Sequence, residues 1–382
     1  MTKSLFALLL IALGSIAFSQ DWDGFPVPAD PGEGKVWQLQ SLSDDFNYDA
    51  PADNKGAGFS ERWTDSYHNA WTGPGLTIWN SEHSFVADGL LQLIASRVPG
   101  TNKVYTGIIT SKERIIHPVY AEARAKISNS TLASDVWLLS PDDTQEIDIM
   151  EAYGAGYSAG TQENQTWFAE RVHISHHVFI RSPFQDYQPT DAGSWYYDGT
   201  TWRNDYHRFG VYWRDPFHLE YYIDGNLVRT VSGAAIIDPN NYTGGTGLSK
   251  AMDVIIDAED QTWRSDQGLT PTDEELSNTE NNTYKVDWIR FYKPVDDPTS
   301  AEDIKSNILE VFPNPFTEYI LINTEGLARQ LIICQPDGHV VKTKEVNSSS
   351  VELFTDELSS GFYILKVQHE NGDWSSQKVI KL

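Results

Sequence analysis

Short segments in which apolar and polar residues alternate run through most of the chain, from Trp22 to about Val295. Examples are Leu90–Ala95, Tyr120–Ile127, Val172–Ile180 and Leu219–Ile223. Glycine, proline, asparagine and aspartate separate these segments, and none of them has the 3.6-residue period of a long amphipathic helix. Evenly spaced strands over about 275 residues predict one all-β sandwich rather than two domains. The dipeptide Asp224-Gly225, placed between two such strands, predicts a tight hairpin.

A second β-rich region follows a polar segment that lacks any periodicity. Residues 296–310 are predicted to form this linker, and residues 311–382 to form a small β domain. Its strand-like runs are Ile320–Asn323, Leu331–Cys334 and Gly361–Val367, with a turn at Asp337-Gly338. The catalytic or binding body is therefore expected to span residues 20–295.

The first 19 residues have the pattern of a secretory signal peptide. Lys3 precedes the apolar run Leu5–Leu13, and the small-flanked triplet Ala17-Phe18-Ser19 follows it. The run is too short to cross a bilayer, which needs about 20 apolar residues. The alternative is a buried helix. We expect cleavage after Ser19 and export of the protein.

The amino-acid composition of the chain excludes some classes of binding partner. The chain of 382 residues carries 54 Asp+Glu against 28 Lys+Arg, a formal net charge of −26. A field of that sign repels nucleic acids and anionic membranes, so we expect neither as a partner. The single cysteine excludes a disulfide framework and any site built from several cysteines. Aromatic residues reach 12% and supply many flat apolar faces.

The segment from Glu146 to Glu151, Glu-Ile-Asp-Ile-Met-Glu, carries the clearest chemical signal. In a strand, Glu146 and Asp148 share one face while Ile147 and Ile149 point the other way. Glu151 has the wrong parity and joins the acidic face only if a β-bulge absorbs one extra residue near Ile149. The alternative is an ordinary strand whose acids face solvent. Like charges on one face are destabilising, however, which favours a functional role.

Such a face could perform acid–base chemistry if it lined a cleft. With the bulge, Glu146 and Glu151 would be four pleat steps apart, about 13 Å along a straight strand at about 3.3 Å per step. Curvature and two long side chains would have to bring them to about 5–5.5 Å, the spacing of a retaining glycosidase. The charge of Asp148 between them would raise the pKa of an adjacent carboxyl group.

The pattern Glu146-x-Asp148-x-x-Glu151, with Trp137 upstream, resembles the bulged catalytic signature of glycoside hydrolase family 16. Other matching segments are Tyr120–Lys126, Tyr206–Trp213 and Val286–Tyr292. The resemblance implies a β-jelly-roll sandwich of two curved antiparallel sheets with a concave substrate groove. It also implies hydrolysis of β-linked galactans or glucans with retention. It makes Glu146 the nucleophile, Asp148 the auxiliary acid and Glu151 the acid/base.

Within this family the chain resembles the β-agarases. The segments that carry this resemblance are Asn69–Gly75, Asp135–Ser140, Arg171–Arg181 and Asp257–Arg264. We therefore expect a secreted, monomeric, endo-acting enzyme that cleaves the β-1,4-galactosidic linkages of agarose or a related red-algal galactan. A porphyranase or κ-carrageenase acting on a sulfated galactan remains an alternative, although the negative charge disfavours a polyanion. A non-catalytic galactan-binding lectin is a further alternative.

Several side chains are candidates for binding sugar. Trp71 and Trp137 are predicted stacking platforms, because an indole offers a broad apolar face beside a hydrogen-bond donor. The agarase resemblance suggests that His177 and Arg181 bind hydroxyl groups; otherwise they are solvated or structural. Asp143 and Glu259 either bind hydroxyl groups or are surface acids. His173, His176 and His177 match no zinc spacing.

The family resemblance also implies a structural calcium ion on the convex side. Asp287 would supply a carboxylate oxygen and the chain near Gly89 a backbone oxygen. The alternative for Asp287 is an exposed strand residue. No cofactor is expected for catalysis.

Residues 311–382 resemble the type IX secretion sorting domain. The resemblance rests on Phe312–Pro315, Gly361–Val367 and the terminal Lys378–Leu382. It implies a small β-sandwich-like domain and the type IX secretion machinery as a partner, with release or surface attachment left open. A carbohydrate-binding module is the alternative, but this region contains only one tryptophan, Trp374.

Overall fold

The computed structural model describes residues 20–297, 309–336, 338–370 and 372–382. The predicted signal peptide, most of the predicted linker, and Asp337 of the predicted turn lie outside these residues. The chain divides into two compact units between Val295 and Asp296.

The first unit is built almost entirely from short strands. In chain order they are β1 (Lys35–Leu39), β2 (Trp63–Thr64), β3 (Thr77–Trp79), β4 (Ser84–Ala87), β5 (Leu90–Leu93), β6 (Ala95–Arg97), β7 (Val104–Thr106), β8 (Ile108–Ser111), β9 (Val119–Lys126), β10 (Ala133–Leu139), β11 (Gln145–Tyr153), β12 (Tyr157–Ser158), β13 (Glu163–Asn164), β14 (Val172–Arg181), β15 (Phe184–Tyr187), β16 (Trp195–Tyr196), β17 (His207–Asp215), β18 (His218–Ile223), β19 (Asn226–Ser232), β20 (Asp253–Glu259) and β21 (Tyr284–Asp296).

Helices in this unit are single turns between strands. They are α1 (Gly56–Ser60), α2 (Thr166–Ala169), α3 (Ala234–Ile237), α4 (Thr262–Ser265) and α5 (Asp273–Ser277), with 3₁₀ turns at Ser81–His83, Ala192–Ser194 and Trp202–Asn204. Among the described residues, no helix is both long and apolar enough to pass through a bilayer.

Two eight-stranded sheets form the body of this unit. The back sheet has the order β19-β18-β17-β9-β21-β5-β4, with β1 paired to β21. The groove sheet has the order β15-β14-β11-β10-β20-β8-β2, with β16 paired to β14. Apolar residues from both sheets, such as Val136, Ile147 and Ile149 from one and Ala123 and Val211 from the other, form one buried cluster. The predicted all-β sandwich is confirmed, and alternation along each strand directs the remaining residues away from this core.

Most strands match the sequence pattern, and two details differ from it. The hairpin at Asp224-Gly225 is confirmed, with φ of 50° and 83° and Ile223 paired to Asn226. The run Leu90–Ala95 is not one strand. Its Ile94 N–H donates to the carbonyl of His83, so β5 stays in the back sheet while β6 joins the small sheet β3-β7-β6.

The second unit is a five-stranded antiparallel sheet with its own apolar core. Its strands are β22 (Leu309–Phe312), β23 (Tyr319–Cys334), β24 (Val340–Phe354), β25 (Gly361–His369) and β26 (Trp374–Lys381). The two runs predicted between residues 320 and 334 belong to one long strand, whose pairing to β24 shifts between Asn323 and Ala328. Strand β22 begins inside the predicted linker, because Leu309 pairs with Thr324 and packs against the core.

Candidate active site

Strand β11 contains the bulge predicted from the parity of Glu151. Against β10, Met150 pairs with Val136 and Asp148 pairs with Trp137, so Ile149 has no partner residue. The pairing to β14 is irregular over the same interval. Ile149 turns into the core, and the extra residue moves Glu151 to the face that carries Glu146 and Asp148. All three carboxylates therefore line one groove.

The groove lies on the groove sheet and has a volume of about 960 Å³. Besides the three acids it is lined by every residue predicted to bind sugar. These are Trp71, Trp137, Asp143, His177, Arg181 and Glu259. Its size and its mixture of aromatic and charged side chains suit an extended polar ligand with apolar faces.

His177 is the positive charge next to Glu146 and Asp148. Its Nε2 lies 3.5 Å from Asp148 Oδ2 and 3.9 Å from Glu146 Oε1, while its Nδ1 lies 2.9 Å from Asp186 Oδ1. Burial alone would lower the pKa of His177, but the interactions with Asp148 and Asp186 outweigh burial and raise this pKa well above its usual range. The imidazole is therefore protonated at neutral pH.

The two acids beside His177 respond in opposite directions. Burial raises the pKa of Glu146 well above that of an ordinary glutamate, and the charge of Asp148 raises it further. Burial is the largest single influence on Asp148 and raises its pKa, but the contact with His177 and the charge of His177, with a smaller contribution from His173, together outweigh burial and lower it. Asp148 therefore forms an ion pair with His177, and its charge raises the pKa of Glu146, as the sequence predicted for an adjacent carboxyl group. Acids this close titrate as a coupled pair.

Glu151 is held by two side chains that the sequence did not single out as its partners. His173 Nδ1 lies 2.9 Å from Glu151 Oε2, and the Tyr153 hydroxyl donates to Glu151 Oε1. Burial, and then the charge of Glu151, raise the pKa of Tyr153 well above its usual value, so the phenol keeps its proton. His173 reaches Glu151 because the two residues are paired across strands β14 and β11.

The three histidines of β14 do not point to one common place. His173 and His177 share the groove face because they are four residues apart in a strand. His176 has the opposite parity, is buried in the sandwich, and bonds the carbonyl of Ile237. Burial lowers the pKa of His176 to about 4, so it carries no charge at neutral pH.

Buried acids also form part of the groove wall beyond Glu151. Asp135 pairs directly with Glu151 on one side and with Asp257 on the other, and Glu259 lies two residues along β20. Burial raises the pKa of Asp257 to about 7, and the pKa values of Asp135 and Glu259 rise well above their usual range, mainly through burial. This part of the groove therefore holds protons as well as negative charge at neutral pH. Asp135 and Asp257 were not among the predicted site residues.

Asp257 positions the aromatic wall of the groove. It accepts hydrogen bonds from Trp137 Nε1 at 2.8 Å and from Trp79 Nε1 at 2.9 Å. Tyr67 stacks on both indoles, with ring centroids 6.3 Å and 5.1 Å away. Trp71 meets Tyr67 and Trp79 edge-on and is 48% exposed. Trp137 is thus fixed in place, and Trp71 presents a free face.

Asp143 has protein partners on three consecutive residues. Tyr67 and Asn69 donate to it at 3.3 Å each, and His68 Nε2 lies 2.7 Å from its Oδ1. Asn69 in turn accepts the backbone N–H of Trp71 at 2.8 Å. Asp143 therefore connects the turn before β11 to the segment that carries Trp71.

Arg181 and Glu259 border the groove with different surroundings. The Arg181 guanidinium lies over the rings of Phe179 and Phe184, at 5.8 Å and 5.4 Å from their centroids. Glu259 accepts a hydrogen bond from the amide of Gln261. Both keep polar atoms available for a ligand in the groove.

Among the described residues, two groups of side chains in or next to the groove wall have possible ligand atoms within 4.8 Å of one another, as a metal site would require. They are Glu146 with Asp148 and His177, and Asp135 with Asp257 and Glu259. A metal in the first group would have to displace the proton that Asp148 and Asp186 stabilise on His177. Asp287, predicted to bind calcium, is in neither group. It forms an ion pair with Arg124.

Comparison with known proteins assigns the two parts of the chain separately. Residues 37–294 match the family model described as the GH16 domain of β-porphyranases A–D, and residues 310–381 match the secretion system C-terminal sorting domain. A β-agarase, AgaA of Microbulbifer thermotolerans, is 61% identical over 298 residues, which is 77% of this chain and 68% of that protein.

A second relative has a solved structure. β-Agarase B of Zobellia galactanivorans is 62% identical over 294 residues, which is 72% of this chain and 83% of that protein. Its crystal structure matches with a TM-score of 0.71 over 72% of this chain and the whole of that chain.

Proposed function

The chain belongs to glycoside hydrolase family 16, and we propose that it is a secreted, endo-acting β-agarase that hydrolyses the β-1,4-galactosidic linkages of agarose with retention of configuration. The observation that carries the proposal is the bulged strand β11, which brings Glu146, Asp148 and Glu151 to one wall of the groove. The relatives compared above are named β-agarases, which supports agarose over a sulfated galactan even though the matching family model is named for porphyranases.

In the proposed mechanism, Glu146 attacks the anomeric carbon and Glu151 donates a proton to the departing glycosidic oxygen. Glu151 then removes a proton from the water that hydrolyses the glycosyl-enzyme. Glu146 must be ionised to attack, which its burial opposes. His177, 3.9 Å from Glu146, offsets this cost by placing a positive charge beside the pair that Glu146 forms with Asp148. His173 and Tyr153 hold Glu151 in position for both proton transfers.

The rest of the groove would bind the polysaccharide. Trp71 and Trp137 offer faces for sugar rings, while His177, Arg181 and Glu259 offer polar atoms to hydroxyl groups. Asp143 is also close enough to contact a ligand, although three protein groups already engage it.

Export is supported by the C-terminal match to a sorting domain. We propose cleavage of a signal peptide after Ser19, a catalytic domain at 20–295, a linker at 296–310 and a sorting domain at 311–382 that addresses the chain to the type IX secretion machinery. The secreted form is proposed to be a monomer.

We propose calcium as a structural ion on the back sheet, bound by Asp287 and a backbone oxygen at Gly89. Burial raises the pKa of Asp287, the contact with Arg124 partly lowers it, and the charges of Asp21 and Asp45 raise it again. Three carboxylates therefore lie near one another in this region, and calcium prefers such oxygen ligands. Asn47 lies next to Gly89, and its side-chain amide donates a hydrogen bond to Asp21, so it connects the Gly89 turn to the acidic residues around Asp287. A rise in melting temperature on adding calcium, lost in Asp287→Asn, would support this site.

The test of the proposed function is product analysis on agarose, porphyran and κ-carrageenan side by side. We expect reducing ends and oligosaccharides from agarose alone. Release from a sulfated galactan in preference to agarose would contradict the substrate assignment. Binding to agarose without release of any reducing end would indicate a lectin.

A further inference from the structure

Aromatic side chains continue from the groove onto the outer surface next to Glu151. Trp195 lines the groove, and its ring lies 4.5 Å from that of His173, the partner of Glu151. The ring of Trp167 lies 5.3 Å from Trp195. The Arg171 guanidinium follows, 4.4 Å from the Trp167 centroid and 4.3 Å from that of Tyr197. We call Trp167, Arg171 and Tyr197 the distal platform.

The distal platform is exposed and held in shape. Trp167 is 48% exposed and Tyr197 is 51% exposed, and neither lines the groove. Arg171 lies against both rings and also donates from Nη1 to the carbonyl of Trp167. A cation between two aromatic faces restricts both of them. The chain thus presents large apolar faces to solvent in a fixed arrangement, a pattern associated with binding surfaces.

We infer that the distal platform binds the part of the polysaccharide chain that extends beyond the groove at the Glu151 end. The inference rests on the proposed function and extends its binding site. A chain cleaved internally must leave the groove at both ends, and at this end Trp195 leads directly onto Trp167. Flat rings suit the apolar faces of sugars, and the remaining N–H groups of Arg171 can donate to hydroxyl oxygens.

The charge of the protein agrees with a neutral polysaccharide as the occupant. The net charge of −26 disfavours nucleic acids and anionic lipid surfaces as partners for an exposed aromatic patch. Continuity with the groove distinguishes this surface from an unconnected apolar patch, such as exposed Leu227 on β19.

The experiment compares the full secreted chain with the double variant Trp167→Ala/Tyr197→Ala on two substrates. One is polymeric agarose, and the other is the shortest agaro-oligosaccharide that the wild type hydrolyses. We expect kcat/KM on the polymer to fall about fivefold to tenfold. On the short substrate it should stay within about twofold. Tyr157→Ala is the matched control, because it removes another exposed ring (55% exposed) that does not line the groove. It should leave kcat/KM on both substrates unchanged.

Each outcome has a separate meaning. A wild type that does not hydrolyse agarose contradicts the proposed function itself. If the wild type is active, equal loss on both substrates means that Trp167 acts only by supporting Trp195, and no loss on either means that the distal platform binds no substrate. Light scattering adds a third check, because a dimer that the double variant converts to monomer would make the surface a self-association interface. Any of these three results with active wild type overturns the inference.

Discussion

Removing the charge of His177 should make the enzyme require a higher pH. In His177→Gln the side chain can still bond Asp186 but carries no proton charge next to Glu146 and Asp148. Without the positive charge of His177, the pair formed by Glu146 and Asp148 would keep its shared proton up to a higher pH. Because the proposed attack by Glu146 requires this residue to be ionised, the acidic limb of the pH profile of kcat/KM should move to higher pH.

The size of this shift follows from the distance between the charges. At 3.9 Å, two unit charges interact by about 1 kcal/mol in water and by about 4 kcal/mol at an effective dielectric constant of about 20. One pH unit corresponds to about 1.4 kcal/mol. The His177 and Glu146 side chains are 13% and 17% exposed, which places the site between these limits. We expect a shift of about one to three pH units.

The assay measures kcat/KM on a soluble agaro-oligosaccharide at a series of acidic pH values, for the wild type, His177→Gln and His176→Gln. His176→Gln is the matched control, because His176 lies next in the chain but is neutral and points into the core. Its acidic limb should stay in place. A His177→Gln enzyme that remains active with an unshifted acidic limb would refute the argument that His177 promotes ionisation of Glu146.

Three further predictions concern the proposed roles of other groups. Glu146→Ala should lose turnover and regain it with azide, giving a product of inverted configuration, whereas Glu151→Ala should keep turnover on substrates with activated leaving groups. NMR of the anomeric products measures both effects. If the wild type releases the α-anomer first, both proposed roles are wrong. Asp143→Ala should raise KM for agarose about tenfold, or about 1.4 kcal/mol, with kcat little changed. If Asp143 acts by positioning Trp71, Asp143→Ala should cause no further rise in KM when Trp71 is already replaced by alanine. An additive rise in KM would mean that Asp143 contacts the sugar directly. A chain ending at Val295 contains no cysteine and should hydrolyse agarose with or without thiols; a folded but inactive product would show that the division at Val295 is wrong.

Much of the candidate site could be predicted from local sequence. Two-residue alternation predicts strands without knowledge of their neighbours, and the parity of Glu151 against Glu146 and Asp148 required a bulge that the structure contains. The side chains proposed to bind sugar also line the groove. Asp143 shows the limit of this reasoning, because its three partners lie about 75 positions away and local sequence does not reveal them.

The ionisation pattern of the groove depends on strand pairing. Asp135 and Asp257 come from β10 and β20, and only the antiparallel register places them in one row with Glu151. His173 lies beside Glu151 because β14 pairs with β11 at that point.

Alternation of side chains is a property of one strand, so the amino-acid sequence alone was enough to establish the all-β class, the acidic face of β11 and the need for a bulge. The pKa values of Glu146, Asp148 and His177 depend instead on distances of a few ångströms between side chains on different strands, and on how far those side chains are removed from water. Tertiary structure sets both quantities, because the register between strands that are distant in sequence determines which charges meet and what covers them.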